Sequence, residues 1–288
     1  MPGTLPAASS AMSDHSSLET ASLSHPGMVR SHNEDTVFVD AEAGIAVLAD
    51  GMGGYNAGEV ASGIAVNVIT NGMVPELNSG RELSKVDVTT GLTHAALLLQ
   101  QQIAAANKGI YEAAQQRPEC AGMGTTVVAA VFCGSRVSIG HIGDSRCYRL
   151  RGDKFEQLTH DHSLLQEQID SGVLTSEQAK YSLNKNLVTR ALGIEAIVPA
   201  DIVEYRVEAN DIYLLNSDGL TDMVDPEIVH TVVDDKRSDL ALAAAELVDL
   251  ANKNGGRDNI SVVLIRVPAD YLPQAGWVQR WLAKKNAP

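Results

Sequence analysis

Residues 44–54 read Gly44-Ile45-Ala46-Val47-Leu48-Ala49-Asp50-Gly51-Met52-Gly53-Gly54. Five consecutive apolar residues form a strand-like run that feeds directly into Asp-Gly, a turn in which the carboxylate points outward and glycine lets the backbone fold tightly. Upstream, residues 36–40 alternate apolar and polar side chains, so the two runs read as a hairpin. That pairing brings Glu34-Asp35 beside Asp50-Gly51.

Four further stretches repeat the theme: Arg30-Ser31-His32-Asn33-Glu34-Asp35, Gly143-Asp144-Ser145-Arg146, Ser217-Asp218-Gly219-Leu220 and Gly256-Arg257-Asp258-Asn259. Each sets an acidic residue in a turn beside an apolar run. One Asp-Gly turn is ordinary turn chemistry, but five such stretches together suggest a single all-oxygen metal site. Carboxylates and carbonyls suit hard divalent ions such as magnesium and manganese, and none of the stretches offers a thiolate or a histidine cluster.

The chain has 288 residues, 44% of them hydrophobic and 4% aromatic, enough for one globular domain with extra segments. A formal charge of -14 argues against nucleic-acid or anionic-membrane partners, which require a basic surface. The three cysteines, Cys120, Cys133 and Cys147, are odd in number and lack metal-ligand spacing, which fits reduced thiols in the cytoplasm. No apolar stretch has the length of a membrane span, and the N-terminus lacks a secretory pattern, so a soluble protein is expected. Residues 1–21, rich in Ser, Ala, Pro and Thr, are expected to be disordered.

Helical periodicity follows Gly58 at Val60, Ile64 and Val68, with a loop at residues 75–84 and a second helix over 93–111. Residues 125–132, 136–142 and 146–150 read as a three-strand antiparallel meander, with Asp144 in its second turn. Residues 159–189 are polar, with short helices at 164–171 and from Ser176, the latter capped by Thr175. Strands at 202–207 and 212–216, helices at 226–232 and 240–253, and a final strand at 260–266 complete the chain. Strands and helices come in blocks, which favours α+β with antiparallel sheets over a doubly wound parallel sheet. Neither a Rossmann fingerprint nor a P-loop is present.

In this order the five stretches resemble the motif set of the metal-dependent PPM-type serine/threonine phosphatases in their bacterial form, over residues 22–267. The resemblance implies an α-β-β-α sandwich, two antiparallel sheets flanked by helices, with the site at one sheet edge. Residues 159–188 correspond to a flap beside that site, and 268–288 lie beyond the family's last strand. By the same resemblance Asp50 bridges two principal Mn2+ or Mg2+ ions. The Gly51 carbonyl and a carboxylate from Glu34 or Asp35 complete one shell, and Asp218 and Asp258 serve the other. Asp144, with Asp218, would hold a third and weaker ion. Arg30 would grip the substrate phosphate, a task suited to a planar guanidinium fork. Arg30 and Asp50 are thus the expected catalytic pair.

The implied reaction is hydrolysis of phosphoserine and phosphothreonine on proteins by a water that two divalent ions acidify, opposing a cognate kinase in bacterial signalling. A cytoplasmic monomer is expected. The alternatives are a phosphatase of a dedicated non-protein ester and a pseudophosphatase whose metals stiffen a docking module; the latter usually lacks a ligand aspartate. No cysteine is followed by the glycines and arginine of a thiol-based phosphate loop.

Many eukaryotic members of the family it resembles carry a histidine directly after the Asp-Gly turn, where this chain, like many bacterial members, has a methionine, Met52. The general acid is therefore unassigned, with His32, His160 and His162 the nearest candidates by motif position and a water as the alternative. Thr125 and Thr126 match a family stretch that begins a core strand. The flap is either a protein-contacting loop or a plain insertion. In the tail, Trp277, Val278, Trp281 and Leu282 fall at helical spacing, facing either the body of the protein or a partner.

Overall fold

The computed structural model describes residues 17–54, 57–179 and 187–271. In chain order its elements are β1 (Glu19–His25), β2 (Asp35–Asp40), β3 (Ile45–Met52), α1 (Ala57–Leu77), α2 (His94–Gln116), β4 (Gly124–Thr125), β5 (Val127–Cys133), β6 (Arg136–Ile142), β7 (Arg146–Arg151) and β8 (Lys154–Gln157). There follow α3 (Leu164–Asp170), α4 (Ser176–Ala179), β9 (Asp201–Arg206), β10 (Ile212–Asn216), α5 (Asp218–Thr221), α6 (Pro226–Asp235), α7 (Leu240–Lys253) and β11 (Ile260–Arg266).

Two antiparallel sheets result, one ordered β1-β11-β10-β7-β8 and the other β2-β3-β5-β6-β9, with β4 added to β3. The opening stretch explains the layering. Successive residues of a strand face opposite sides. In β3, Ile45, Val47 and Ala49 pack under α1 and α2, whereas Ala46 and Leu48 face the other sheet. The run is continuously apolar because both faces are buried. On the second sheet, Ile212, Leu214, Val262 and Leu264 pack under α6 and α7, while Tyr213, Leu215, Val263 and Ile265 face inward. The architecture is thus helix, sheet, sheet, helix, as the family resemblance implied.

Several local expectations are corrected. Residues 19–21 are not disordered: they begin β1, whose seven residues pair along β11. As an edge strand with mostly part-exposed side chains, β1 carries little apolar signal. The three-strand meander ends after two strands. β5 pairs β6, but β7 crosses to the other sheet and pairs β10 and β8. Gly143 makes the crossing at φ 107, a backbone state that side chains resist. Alternation reveals a strand but not its partner. Helix α1 runs through Pro75 to Leu77, past the expected loop boundary; proline withholds one N–H, the donor that would reach the Asn71 carbonyl, and the helix ends two residues later. The tail containing Trp277 and Trp281 lies outside the described residues, as do residues 1–16.

Candidate active site

The β2–β3 ladder sets Asp35 opposite Asp50. At the end of β3 the backbone is crowded: a Cβ on Gly51 would lie 2.1 Å from the Gly58 carbonyl oxygen and 2.6 Å from that of Glu34. Only glycine fits there, and its N–H donates to the Glu34 carbonyl at 3.2 Å. Two threonines fix Asp50. Its N–H donates to Thr126 Oγ1 at 3.2 Å, and its carbonyl accepts from Thr125 Oγ1 at 2.8 Å and Thr126 N at 2.9 Å.

The opposing sheet delivers the other carboxylates. Asp218 begins α5 immediately after β10, and Asp258 precedes β11. The two segments cross closely, since a Cβ on Gly219 would lie 2.0 Å from the Asn259 carbonyl oxygen. Arg30 Nη2 donates to Asp258 Oδ2 at 2.7 Å. Asn259 fastens the Arg30 loop to this corner: its Oδ1 accepts from Glu34 N at 2.8 Å, and its Nδ2 donates to the carbonyls of Pro26 at 3.0 Å and His32 at 2.9 Å.

These elements surround a cavity of about 240 Å³ lined by Arg30, Glu34, Asp50, Gly51, Asp144, Asp218 and Asp258, together with Met52, Thr126 and Val188. Of the expected site residues, Asp35 alone does not line it. Asp35 lies behind the wall: its Oδ2 accepts from Ser217 Oγ at 2.9 Å, and its Oδ1 is buried without a hydrogen-bond partner. Where the sequence leaves Glu34 and Asp35 open, the geometry puts Glu34 at the cavity.

Burial and mutual repulsion shape the electrostatics. Desolvation, then the charges of Asp35, Asp218, Asp144 and Asp258, hold the Asp50 carboxyl well above the usual range. Asp218 is raised in the same way by burial and by Asp144, Asp222 and Asp258. Burial also lifts Asp144 to about 6, and lifts Asp35 to about 6 despite opposing hydrogen bonds from Ser261 and Ser217. So many buried carboxylates are unfavourable as anions without compensating positive charge.

The donor set fits hard divalent ions: carboxylates, a carbonyl at Gly51 and one orphaned carboxylate oxygen behind them. Among the described residues, no three acidic, imidazole or thiol groups converge tightly enough to enclose a single ion. The carboxylates instead ring a cavity, an arrangement suited to ions that retain part of their hydration shell.

A second cavity, about 200 Å³, shares Asp144 and Asp218 and is roofed by Leu165, Gln166 and Ile169 of the expected flap. Its floor is pinned by Arg146, whose Nε and Nη2 both donate to Asp161, the latter at 2.6 Å. None of the candidate histidines lines the first cavity. His32 is exposed, and His160 Nε2 pairs with Asp170 at 2.7 Å. His162 is buried; its Nδ1 accepts from Gly143 N at 3.1 Å, and its Nε2 meets Asp201 at 3.1 Å.

Sequence reasoning missed Asn259 and Ser217 as organisers of the site. Their signal was their position, each adjoining an expected ligand aspartate. Thr125 and Thr126 have the structural role expected of them.

A two-sheet sandwich with carboxylates ringing a cavity at one sheet edge is the architecture of a metal-dependent hydrolase. The protein phosphatase 2C family model matches residues 29–254. A serine/threonine phosphatase stp of Listeria innocua is 39% identical over 245 residues, covering 83% of this chain and 92% of the relative. The crystal structure of the Mycobacterium tuberculosis serine/threonine phosphatase PstP/Ppp superposes with a TM-score of 0.78 at 34% identity, covering 88% of this chain and 99% of that one. The catalytic domain of PstP in complex with two manganese ions gives a TM-score of 0.75 at 35% identity, with the same coverage. The chain belongs to the protein phosphatase 2C family.

Proposed function

We propose that this chain hydrolyses phosphoserine and phosphothreonine monoesters on proteins with manganese or magnesium, and that it opposes a cognate serine/threonine kinase. The observation that carries this reading is the convergence of Asp50, Asp218, Asp258 and Arg30 on one cavity from two different sheets.

Asp50, Glu34, the Gly51 carbonyl, Asp218 and Asp258 would hold the two principal ions, and Asp144, with Asp218, would hold a third, weaker one. Bound ions would supply Lewis acidity and an acidified water. Arg30 meets the phosphate oxygens with its planar fork, aimed by its ion pair with Asp258. Thr126 and Asn259 keep the Asp50 turn and the Arg30 loop in register, so that little reorganisation accompanies charge development.

A thiol mechanism is disfavoured. Burial pushes Cys147 up to about 12 and also raises Cys133, so neither offers a thiolate at neutral pH. All three cysteines are free, which supports a reducing, cytoplasmic setting. Among the described residues no helix is long and apolar enough to cross a membrane. A monomer is the working oligomeric state.

The test is phosphate release from a phosphothreonine peptide with added manganese, added magnesium or excess EDTA, run beside Asp218→Asn. Release that requires metal and vanishes in the variant is expected. Release that survives EDTA, or a fully active Asp218→Asn, would overturn the assignment.

A further inference from the structure

Downstream of the flap, the chain builds an apolar groove on a rigid platform beside the cavity. The groove, about 120 Å³, is lined by Ala191, Ile194, Ile197, Val198 and Pro199, together with Thr189, Arg190 and Glu195. Its apolar side chains are presented to solvent: Ile197 is 83% exposed and Ile194 49%. Single exposed apolar residues are common, but two isoleucines over a concave apolar surface are a different matter.

The backbone beneath them is held firmly. Asn107, buried in α2, accepts from Gly193 N at 2.8 Å and donates to the carbonyls of Glu195 at 3.1 Å and Ala196 at 3.2 Å. Leu192 exchanges two backbone hydrogen bonds with Thr125, at 2.9 and 3.1 Å, and Thr125 Oγ1 donates to the Asp50 carbonyl. The platform is therefore tied to the catalytic turn.

The groove and the cavity have neighbouring linings. Met52, on the cavity wall, pairs with Gly124 across the β3–β4 ladder. Ile194 lies over Gly124: a Cβ there would be 2.9 Å from Ile194 Cδ1 and 3.0 Å from the Leu192 carbonyl oxygen. Val188 reaches the cavity and the adjacent Thr189 the groove.

We propose that this groove is a specificity subsite that takes an apolar side chain flanking the phosphorylated residue of a peptide substrate. The inference rests on the phosphoprotein reading above and adds a preference to it. The closeness of cavity and groove, joined at Val188 and Thr189, argues for this occupant, because a peptide whose phosphate sits by Arg30 lays its neighbouring residues on the surface around the cavity. Arg190 is already paired with Asp201 Oδ1 at 3.1 Å, which leaves Glu195 to disfavour an acidic neighbour on the same segment.

The test uses the full chain with manganese and phosphothreonine peptides that differ at one flanking position, leucine against aspartate, scanned on both sides of the phosphoresidue. p-Nitrophenyl phosphate, which has no flanking residue, is the reference substrate. The wild type should prefer leucine by about tenfold in kcat/KM at one or two positions, the range expected for one apolar side chain in a pocket. Ile197→Ser should abolish that preference through KM and leave p-nitrophenyl phosphate turnover unchanged. Equal rates for both peptides in the wild type, or a preference that survives in Ile197→Ser, would overturn the subsite while leaving the phosphatase reading intact. Failure to hydrolyse any ester would remove the phosphatase reading and the subsite with it. A concentration-dependent dimer that Ile197→Ser dissociates, with peptide preference unaffected, would give the groove to a second copy instead.

Discussion

Asp35 and Asp50 face each other across the β2–β3 ladder, yet only Asp50 reaches the cavity; Asp35 turns inward to accept the hydroxyl hydrogen of Ser217 from the opposite sheet. One carboxylate is thus offered to a ligand while its neighbour joins the two layers behind it. The uncompensated charge of this pair, added to Asp144 and Asp218, sets the first expected behaviour.

All four carboxyls are raised in the metal-free fold, so the folded chain holds protons that the unfolded chain releases. Stability of the metal-free protein from these groups is therefore greatest below the ordinary value of 3.8. It falls as pH rises through about 6 for Asp35 and Asp144 and further for the other two. Manganese should restore what is lost, so the rise in Tm on adding it should be larger at pH 7.5 than at pH 5. Calorimetry in EDTA and in manganese at both pH values checks this, and an equal or reversed difference would contradict it.

Arg30 is half exposed and paired only at Asp258, so its loss should be felt by substrate more than by the fold. Arg30→Ala should raise KM for a phosphopeptide with little change in Tm, and Arg30→Lys should restore it only in part because an ammonium lacks the fork. Steady-state kinetics identical to wild type would return Arg30 to the surface.

Asn259 satisfies three backbone groups from two turns and is nearly buried. Asn259→Ala should destabilise by on the order of 2 kcal/mol through the partners left unpaired, a drop of roughly 4–8 °C in Tm for a chain of this size. Manganese affinity should weaken with it, since Glu34 and Arg30 lose their common anchor. Isothermal titration with manganese would expose the alternative, a lower Tm with unchanged affinity.

Asp144 and Asp50 should differ in rank. Replacing Asp50 with Asn removes the residue proposed to serve both principal ions and should cost several kcal/mol of transition-state stabilisation, about 10³-fold or more in kcat at 1.36 kcal/mol per decade. Asp144→Asn should cost far less when manganese is saturating. Equal losses in turnover assays would deny Asp144 its lesser role.

Much of this was readable before any coordinates. Apolar runs ending in Asp-Gly marked strand ends and their carboxylates, because burial on both faces and tight turns leave strong local signatures. What stayed hidden depends on partners distant in sequence. Nothing around Arg146 says that β7 leaves β6 for the other sheet, and the polar edge of β1 resembles a disordered tail until β11 pairs with it. The choice between Glu34 and Asp35 likewise turned on Ser217, 182 residues away from Asp35. Asn259 stands beside a recognised aspartate, but its three bonds all reach into the Pro26–Glu34 loop.

Between β8 and β9 the chain makes a single long excursion that holds α3, α4, Val188 and the Ile194–Ile197 platform, while the cavity carboxylates Asp50, Asp144, Asp218 and Asp258 all lie outside it. On the subsite proposal, the surface that chooses a substrate and the aspartates that serve the chemistry belong to different lengths of polypeptide. The two are stitched together where Leu192 pairs with Thr125 and His162 with Gly143, so a change in the excursion is felt at the turns that carry Asp50 and Asp144.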